Sequence, residues 1–600
     1  MPTVLLMALF FRMQVHAQPD PRFESPYLRV ELAASRPAFT ALAVDSLGTR
    51  KLSVNPVLPG AAGEGGYKLR RKGQVAEYVT GDRVAWSMRF AERSLTLDSA
   101  HISEGTPPLV IEFDPHICHA TLLGLLNPDG RVKLPALMHL PDLGTLRVTS
   151  SAPVTLGYEA VRLTKRDYVR ITFPGASETV PKLSYTWDVV AIHPAVKGIE
   201  HDRRFDGFRR NFLNIFQLNP RTLTLANHAA SDPCALTLFK YADVAVKTPP
   251  LANGVTALGL LRQTLERYLG GMKAYGMVGY KATSGSAYIA TSLDSYPSLV
   301  ISAADYVKGS GDHAWLREHY SGIRSWAESM AAYDADGDGV LEYPLSGNAG
   351  VLRGPKLIRP SNWWDGIGFG HKDAYSNALA YRAFLEAAEM AKLAGDREGA
   401  ESNTQKAGRL RANYYGTFFN PKTGVLAGWI SADGNVHDYY FTFVNAVAIT
   451  YGLVAAPEAS AIMDRLLAKM REVGYTRFEL GLPGNLIPIR RDDYIKHLKR
   501  WGCPDLEDGS DGFQIYENGG ATACFTYFTL QALYGLNRRA DADRILFPLL
   551  GAFEAGEFQG RGANGMTKDW KAWDGTPHGY EGLLVDNYLA LLAVVTGWAR

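Results

Sequence analysis

Two adjacent tryptophans stand beside a carboxylate in the glycine-rich segment NWWDGIGFGHKDAYSN, which precedes a strongly amphipathic stretch. The tryptophans are Trp363 and Trp364, and the carboxylate is Asp365. An aromatic ring packs on the apolar C–H face of a sugar, while a carboxyl group binds sugar hydroxyls or acts on the glycosidic oxygen. The pattern therefore predicts sugar chemistry here. The alternative roles of Asp365 are to cap the following helix or to bind a sugar hydroxyl.

Other tryptophans and charged residues that could bind a sugar lie between the predicted helices rather than inside them. Tryptophans in such loops predict sugar platforms, although single exposed tryptophans are also ordinary packing. The loop tryptophans are Trp429, Trp501, Trp570 and Trp573. We expect His371, Lys372 and Arg490 to bind hydroxyls, and Glu517 of the YENGG segment to bind sugar or to cap a helix.

The loop YDADGDGVLEYP, from Tyr333 to Pro344, has the aspartates and glycines of a calcium loop. An EF-hand requires an acidic residue at its twelfth position, and counting from Asp334 puts Leu345 there. The sequence therefore favours a structural turn over a calcium site, and no cofactor is predicted. Glu342, at the end of the loop, is expected to reach the cavity that the long connections between the helices would border.

Composition and charge exclude several classes of protein. The chain has 600 residues, 46% of them hydrophobic, and a formal net charge of +2. A chain of this length exceeds a single hydrophobic core, so two domains are expected. Near-neutral charge without a basic stripe argues against a nucleic-acid partner.

The N-terminus predicts export. Residues 1–17 contain an apolar run followed by Val-His-Ala, which is typical of a signal peptide, so we expect a periplasmic or secreted protein with no membrane span.

The four cysteines form no CxxC pair, which argues against a cysteine metal cluster. Buried free thiols are favoured over a Cys503–Cys524 bridge.

The chain divides into two halves with different secondary-structure patterns, the first typical of strands and the second of helices. Residues 25–247 contain short Val-, Leu-, Thr- and Tyr-rich runs separated by turn residues every eight to twelve positions, which predicts an antiparallel β-sandwich. Residues 248–600 contain repeated pairs of helical patterns, the first apolar all round and the second on one face only. Such hairpins form either an open solenoid or a closed toroid with inner and outer helices. The long connections gather at one rim, at 334–371, 417–440, 475–521 and 555–579, which predicts one cavity if the ring closes.

Several motifs in this order resemble the six-hairpin glycoside hydrolases, a group that includes processing α-glucosidases, trehalases, glucoamylases and rhamnosidases. They are the Asp-x-Asp-Gly-Asp-Gly loop, the Trp-Asp motif before a helix, the Tyr-x-Asn-Gly-Gly helix entry, and a late Trp-Asp-Gly…Gly-Tyr-Glu-Gly segment. The resemblance covers the plan of residues 250–600, and the sandwich resembles theirs in kind. It implies an (α/α)6 barrel that follows a β-sandwich, with the site at the long-loop rim.

The resemblance also implies acid–base hydrolysis, commonly with inversion. Asp365 matches the position of the general acid, and burial among aromatic rings would raise its pKa. The base is implied to lie in GMTKDWKAWDGTPHGYEG, residues 565–582, where Asp569, Asp574 and Glu581 are the candidates. Related families usually have Glu at this position, and this sequence offers Asp at the best-matching positions.

The resulting expectation is an exo-acting, inverting glycoside hydrolase whose substrate is a short glucoside or an oligosaccharide. A phosphorylase of similar architecture is one alternative, and would need a basic pocket near the last loops, where only Lys568 and Lys571 stand. A lyase would need several pocket arginines and is not favoured by the paired acids. A non-catalytic sugar-binding protein on the same scaffold is the third alternative.

Overall fold

The structure is a computed structural model that describes most of the chain. The described residues are 22–58, 66–103, 105–127, 129–161, 167–219, 222–227, 234–252, 254–281, 291–343, 361–364, 366–493 and 506–599. The predicted signal peptide at residues 1–17, Asp365, Trp501 and Cys503 lie outside these ranges. Within them, no helix combines the length and apolar character needed to cross a membrane.

The N-terminal domain consists of antiparallel sheets, as predicted from its turn-punctuated runs. Its strands are β1 (Arg22–Glu24), β2 (Leu28–Leu32), β3 (Phe39–Val44), β4 (Lys68–Lys72), β5 (Val75–Thr80), β6 (Arg83–Phe90), β7 (Ser94–Ala100), β8 (Leu109–Phe113), β9 (Thr121–Leu123), β10 (Val132–Lys133), β11 (Ala136–Leu140), β12 (Gly144–Ser150), β13 (Thr155–Val161), β14 (Tyr168–Phe173) and β15 (Lys182–Val190). They form an eight-stranded sheet in the order β4-β5-β6-β7-β15-β12-β11-β9, a four-stranded sheet β10-β13-β14-β8 and a three-stranded sheet β1-β2-β3.

Alternating side chains hold these sheets face to face. In β15 every second residue is buried, which is the period of a strand with one face toward a core. Phe173 of the four-stranded sheet packs on Trp187 of the eight-stranded sheet with ring centroids 4.9 Å apart, and Phe39 of the three-stranded sheet packs on the same indole at 5.5 Å. The predicted sandwich is therefore present.

The remainder of the described chain is mainly helical. Its helices are α1 (Asp206–Asn211), α2 (Leu238–Lys247), α3 (Ala257–Leu269), α4 (Ser295–Ser310), α5 (His313–Ala331), α6 (Ala374–Ala394), α7 (Arg397–Phe418), α8 (Thr442–Thr450), α9 (Ala456–Glu472), α10 (Thr526–Gly535) and α11 (Arg539–Glu554). Helix α2 packs on α3 and α4, so the helical domain begins before the predicted boundary at residue 248. The short connection at Thr248-Pro249-Pro250 separates two helices of one hairpin and not two domains.

The inner helices close into a ring. Helix α2 contacts α4, α4 contacts α6, α6 contacts α8, and α8 contacts α10. Helix α10 contacts the 3-10 segment Val585–Leu591, which in turn contacts α2. The second helix of each hairpin lies outside this ring, as α5 and α7 show by burying one side only. The repeats therefore form a toroid and not an open solenoid.

The hairpin turns explain the repeated Gly-Asp pair. Gly311 ends α4 with φ +68° and Gly395 ends α6 with φ +83°, a left-handed conformation that favours glycine. The following aspartates cap the next helices: Asp312 accepts the backbone N–H of Trp315 at 2.9 Å, and Asp396 accepts that of Gly399 at 2.8 Å. One dipeptide therefore ends one helix and starts the next.

Short strands organise the rim. They are β16 (Gln217–Leu218), β17 (Leu225–Ala226), β18 (Lys372–Asp373), β19 (Phe419–Asn420), β20 (Val425–Leu426), β21 (Trp429–Ile430), β22 (Val436–His437), β23 (Leu482–Pro483), β24 (Ala521–Thr522), β25 (Thr567–Lys571) and β26 (Pro577–Gly579). Strands β23 to β26 form one sheet in chain order, which brings the 475–521 and 555–579 loops together.

A polar interface joins the two domains. Arg210, which belongs to α1, forms an ion pair with Asp45 of the sandwich, and both side chains are fully buried. The backbone N–H of Asp142, in the sandwich, donates to the side-chain oxygen of Asn211 in α1 at 3.0 Å. The side chains of Cys118, Cys234 and Cys524 are buried, and the thiols of Cys118 and Cys524 are free, as favoured from the sequence.

Candidate active site

Three rim loops that were singled out in the sequence meet through a chain of aromatic contacts. Trp363 lies 5.7 Å from Phe525, and Phe525 lies 5.7 Å from Trp570, measured between ring centroids. Trp570 packs edge-on against Tyr516 at 4.9 Å, and the hydroxyls of Tyr516 and Tyr580 are 3.0 Å apart. The Trp-Trp-Asp segment, the YENGG segment and the last rim loop therefore border one region.

Glu517 ties two of these loops together. Its Oε2 accepts the backbone N–H of Gly366 at 2.7 Å, and the side chain is only 2% exposed. Gly366 follows Asp365, which itself lies outside the described residues. The contact indicates that Glu517 holds the Trp-Trp-Asp segment in place, a role that sequence reasoning did not assign to it.

The cap of helix α6 is Asp373 and not Asp365. The Oδ1 atom of Asp373 accepts the backbone N–H of Tyr375 at 2.9 Å, and its Oδ2 accepts from Ser361 and Asn362 at 3.0 and 2.9 Å. Burial raises the pKa of Asp373 to about 6 even though these bonds favour the ionised form. The side-chain cap of α6 is therefore supplied by Asp373.

In the last loop, Asp569 and Glu581 are neighbours. Asp569 is completely buried, and its carboxylate accepts the backbone N–H groups of Glu581 and Gly582, each at 3.4 Å. Burial, and then the nearby charge of Glu581, raise the pKa of Asp569 to about 6. Glu581 keeps 8% of its surface exposed. Asp569 therefore holds the backbone from which Glu581 projects.

Asp574 lies away from this pair. It is exposed, and its carboxylate accepts the backbone N–H of Thr576 at 2.8 Å, which lowers its pKa. That bond is typical of an Asx turn, so the side chain stabilises its own loop. The neighbouring Trp573 is half-buried and donates its indole N–H to the carbonyl of Gly519 at 2.6 Å, which links the last loop to the YENGG segment.

Several tryptophans that were expected to expose a ring face to sugar are buried instead. Trp364 and Trp429 have no exposed surface and Trp570 has 2%, so their rings belong to the core and leave no face for a sugar. Trp363 is half-buried, stacks on Trp364 at 4.5 Å and has the ammonium of Lys240 4.6 Å from its ring. This corrects the expected platform role for the three buried rings.

Glu342, His371 and Lys372 form a separate cluster around the DADGDG loop. The Nζ of Lys372 lies 3.3 Å from Glu342 Oε1 and 3.1 Å from Asp336 Oδ2, and it also contacts Asp338. Glu342 is 3% exposed and accepts the backbone N–H of Ala335 at 2.7 Å, while His371 Nε2 lies 4.0 Å from it. These contacts serve the loop, so the expected sugar contacts of the three residues are not evident here.

The same loop contains the acidic group that could hold a cation. Carboxylate oxygens of Asp334, Asp336 and Asp338 lie within 4.8 Å of one another. Lys372 already supplies a positive charge to Asp336 and Asp338. Each aspartate also accepts a backbone N–H, from Gly339, Asp338 and Val340 respectively. The arrangement has the features of the structural turn that the sequence favours.

Sequence reasoning missed a buried ion pair below Trp363. The Nζ of Lys240 donates to Asp586 Oδ2 at 2.7 Å, and the hydroxyl of Tyr241 donates to Asp586 Oδ1 at the same distance. Lys240 and Asp586 are 3% and 1% exposed. The available signal was the presence of charged residues, Lys240 and Asp586 among them, within two otherwise apolar runs, LFKYADVAV and LLVDNYLALL. A buried charge of this kind requires a partner.

The comparisons agree with the sequence-based resemblance. Residues 241–487 match a family model described as the bacterial alpha-L-rhamnosidase 6 hairpin glycosidase domain. This match supports the resemblance of the helical half to six-hairpin glycosidases. No match was found among curated protein sequences.

Solved structures with similarity to the chain include three glycosidases. A rhamnosidase from Klebsiella oxytoca with rhamnose bound is 14% identical, with a TM-score of 0.43 over 96% of this chain and 95% of that one. A GH78 family rhamnosidase of Bacillus sp. GL1 is 10% identical, with a TM-score of 0.37 over 88% of this chain and 47% of that one, about half of its length. A GH63 mannosylglycerate hydrolase from Thermus thermophilus is 13% identical, with a TM-score of 0.41 over 64% of this chain and 97% of that one.

Proposed function

We propose that the protein is an exo-acting, inverting glycoside hydrolase with Asp365 as general acid and Glu581 as general base. The observation that carries this proposal is the convergence of the rim loops. The Gly366–Glu517 bond anchors the residue after Asp365, and Tyr516, which precedes Glu517, contacts Tyr580, which precedes Glu581. The two carboxyl groups are thereby attached to neighbouring backbone segments.

Glu581 is favoured over the two aspartates as the base. A general base must reach the water molecule that it activates. Asp569 has no exposed surface and accepts two backbone N–H groups, and Asp574 is engaged in an exposed turn. Glu581 retains some exposure and is the residue type that the resembling families usually have at this position. This reverses the order of preference drawn from the sequence.

In the proposed reaction, protonated Asp365 donates to the leaving glycosidic oxygen while ionised Glu581 removes a proton from water on the opposite face of the sugar. The water oxygen forms a bond to the anomeric carbon as the glycosidic bond breaks, so the configuration inverts. Inverting enzymes hold the two carboxyl groups about 6.5–9.5 Å apart to leave room for this water. Glu517 would keep the acid segment at that separation.

The first substrate class to test is a terminal α-L-rhamnoside. The family model that matches residues 241–487 is named for this sugar, and short glucosides and other oligosaccharides remain in the test panel. Because residues 1–17 have the pattern of a signal peptide, we also propose that the enzyme acts in the periplasm or outside the cell.

The lysines of the last loop argue against the phosphorylase alternative. Lys571 Nζ donates to the carbonyl of Glu557, and its ammonium lies 3.9 Å from the Glu557 carboxylate. Lys568 Nζ lies 3.6 Å from the same carboxylate. Both ammonium groups already lie within 4 Å of the Glu557 carboxylate, so neither is left open for a phosphate group.

Proton NMR of the anomeric signal tests the proposal. The purified protein is incubated with aryl α-L-rhamnosides, aryl α- and β-glucosides and disaccharides, beside Asp365→Asn. The expected result is release of the opposite anomer as first product, and in the variant this release is abolished for the disaccharides, whose leaving group needs protonation. Sugar binding without turnover of any substrate would favour the sugar-binding alternative. Turnover of the disaccharides, whose leaving group needs protonation, that persists in Asp365→Asn would reject the site.

A further inference from the structure

The sandwich reaches the last rim loop through the segment between β8 and β9. Arg561 Nε donates to His116 Nδ1 at 2.9 Å, and His116 Nε2 lies 3.1 Å from Asp167 Oδ2. Because a guanidinium group only donates, Nδ1 accepts and Nε2 carries the proton that points at Asp167. Two sandwich residues and one barrel residue thus form a directional hydrogen-bond chain across the junction.

His119 of the same segment lies directly against the backbone of Gly582. A Cβ atom at Gly582 would be only 2.7 Å from His119 Nε2, and Gly582 has φ +82°, so a side chain there is excluded by both space and conformation. His119 is 3% exposed. The imidazole therefore packs on this turn with no room between them.

The same turn is also held by the barrel. Asp569 accepts the N–H of Gly582 with Oδ1 and that of Glu581 with Oδ2. Gly560 donates its N–H to the carbonyl of Gly582 at 3.2 Å. The backbone of Glu581 and Gly582 is consequently hydrogen-bonded to a buried carboxylate of the barrel and packed against an imidazole of the sandwich.

We propose that His119 is a positioning residue for the general base, so that the β-sandwich forms one wall of the active site. The inference rests on the proposed function, because it assigns the base to Glu581. His119 fills the space beside Gly582 and so limits the movement of the turn that Asp569 holds, which fixes the point from which the Glu581 carboxylate reaches the catalytic water. A displacement of about 1 Å at a catalytic group costs up to about 100-fold in rate.

Steady-state kinetics of four variants test this role. His119→Ala and His119→Asn remove the atom at the Nε2 position, and we expect kcat to fall about tenfold or more with KM unchanged. His119→Gln carries a polar atom to nearly the same place and is expected to restore most of kcat. His116→Ala is the matched control, since it breaks the bond to Arg561 at the same junction without touching Gly582.

The outcomes separate this inference from the proposed function. Wild-type kcat in His119→Ala, equal losses in the Gln and Asn variants, or an equal loss in His116→Ala would overturn the positioning role while leaving hydrolysis established. If His119→Ala does not fold, the comparison of Gln with Asn decides alone. A wild-type protein that hydrolyses no glycoside would reject the proposed function, and this inference with it.

Discussion

At the scale of single residues, the enclosure of Asp569 leaves room only for a glycine opposite it. A Cβ atom at Gly579 would lie 2.2 Å from Asp569 Oδ1 and 2.7 Å from the carbonyl oxygen of Thr567. Contacts this short cannot be relieved without moving the carboxylate or the β25–β26 pairing. The position of Asp569, and through it the backbone of Glu581, therefore depends on the missing side chain of Gly579.

We expect Gly579→Ala to lower kcat by about 10- to 100-fold, because Asp569 must shift and take the Glu581 turn with it. Overpacking of this kind also reduces the free energy of unfolding by about 1–3 kcal/mol. Enzyme kinetics and urea unfolding check both numbers. Gly408→Ala in α7 is the control: nothing lies within 4 Å of its added methyl group, so activity should be unchanged and the helix slightly stabilised. A wild-type kcat in Gly579→Ala would contradict the assigned role of Asp569.

The sequence could reveal only those site residues that stand out within a short segment of the chain. The Trp-Trp-Asp segment, the YENGG segment and the carboxylates of the last loop stand out by type and spacing, and the structure brings their loops together. Lys240 and Asp586 could not be paired in this way, because they are 346 positions apart and each lies in an apolar run. The burial of Trp364, Trp429 and Trp570 could not be predicted from the sequence either, since it depends on which helices surround each loop.

At the scale of elements, the Gly-Asp turns were predictable because both of their functions are local. Glycine takes the left-handed conformation that ends a helix, and aspartate supplies the acceptor that starts the next one. The last inner element was less predictable: residues 585–591 form a 3-10 segment and residues 594–598 a π-helical one, not the single helix that the apolar run suggests. The rim sheet β23–β26 also escaped prediction, since its strands are short and pair across long stretches of chain.

Removing one of these caps tests the element scale. Asp312→Ala loses the bond to the Trp315 N–H and also the bond that Tyr306 donates at 2.9 Å, so we expect a loss of about 1–2 kcal/mol in the free energy of unfolding. The turn lies between an inner and an outer helix, away from the rim loops, so kcat should not change. Thermal unfolding and kinetics measure the two effects. A loss of activity without a loss of stability would show that the turn has another role.

At the scale of the whole molecule, polar groups are buried where the sandwich meets the barrel. Asp142 lies in the turn between β11 and β12, and its backbone N–H donates to Asn211 of the helical domain at 3.0 Å. Its carboxylate accepts from Tyr588 at 3.4 Å. Burial raises the pKa of Asp142 to about 6.

This pKa makes part of the stability depend on pH. An unfolded aspartate has a pKa of about 3.9, so between about pH 4 and 6 the folded protein holds more protons than the unfolded chain. The free energy of unfolding therefore falls as pH rises through this window and is level above it. For a shift of about two units the fall is at most about 3 kcal/mol.

Asp142→Asn removes this titration while keeping the shape of the side chain. We expect the variant to lose less stability than the wild type between pH 4.5 and pH 7, as measured by urea unfolding at both values. Asp129→Asn is the control, because that side chain is 59% exposed in a sandwich loop. Identical pH dependence in the wild type and Asp142→Asn would show that the buried carboxyl is not protonated more easily in the folded state.

The central claim is that Asp365 protonates the leaving group and Glu581 activates water. The most direct test measures kcat/KM for Asp365→Asn and Glu581→Gln on two glycosides of the same sugar, one with a poor alkyl leaving group and one with a dinitrophenyl group that needs no protonation. We predict that Asp365→Asn loses about 10²–10⁴-fold on the alkyl glycoside and far less on the dinitrophenyl glycoside. Glu581→Gln should lose equally on both, because every substrate needs the water. Equal losses in Asp365→Asn, or a leaving-group dependence in Glu581→Gln, would contradict the assignment.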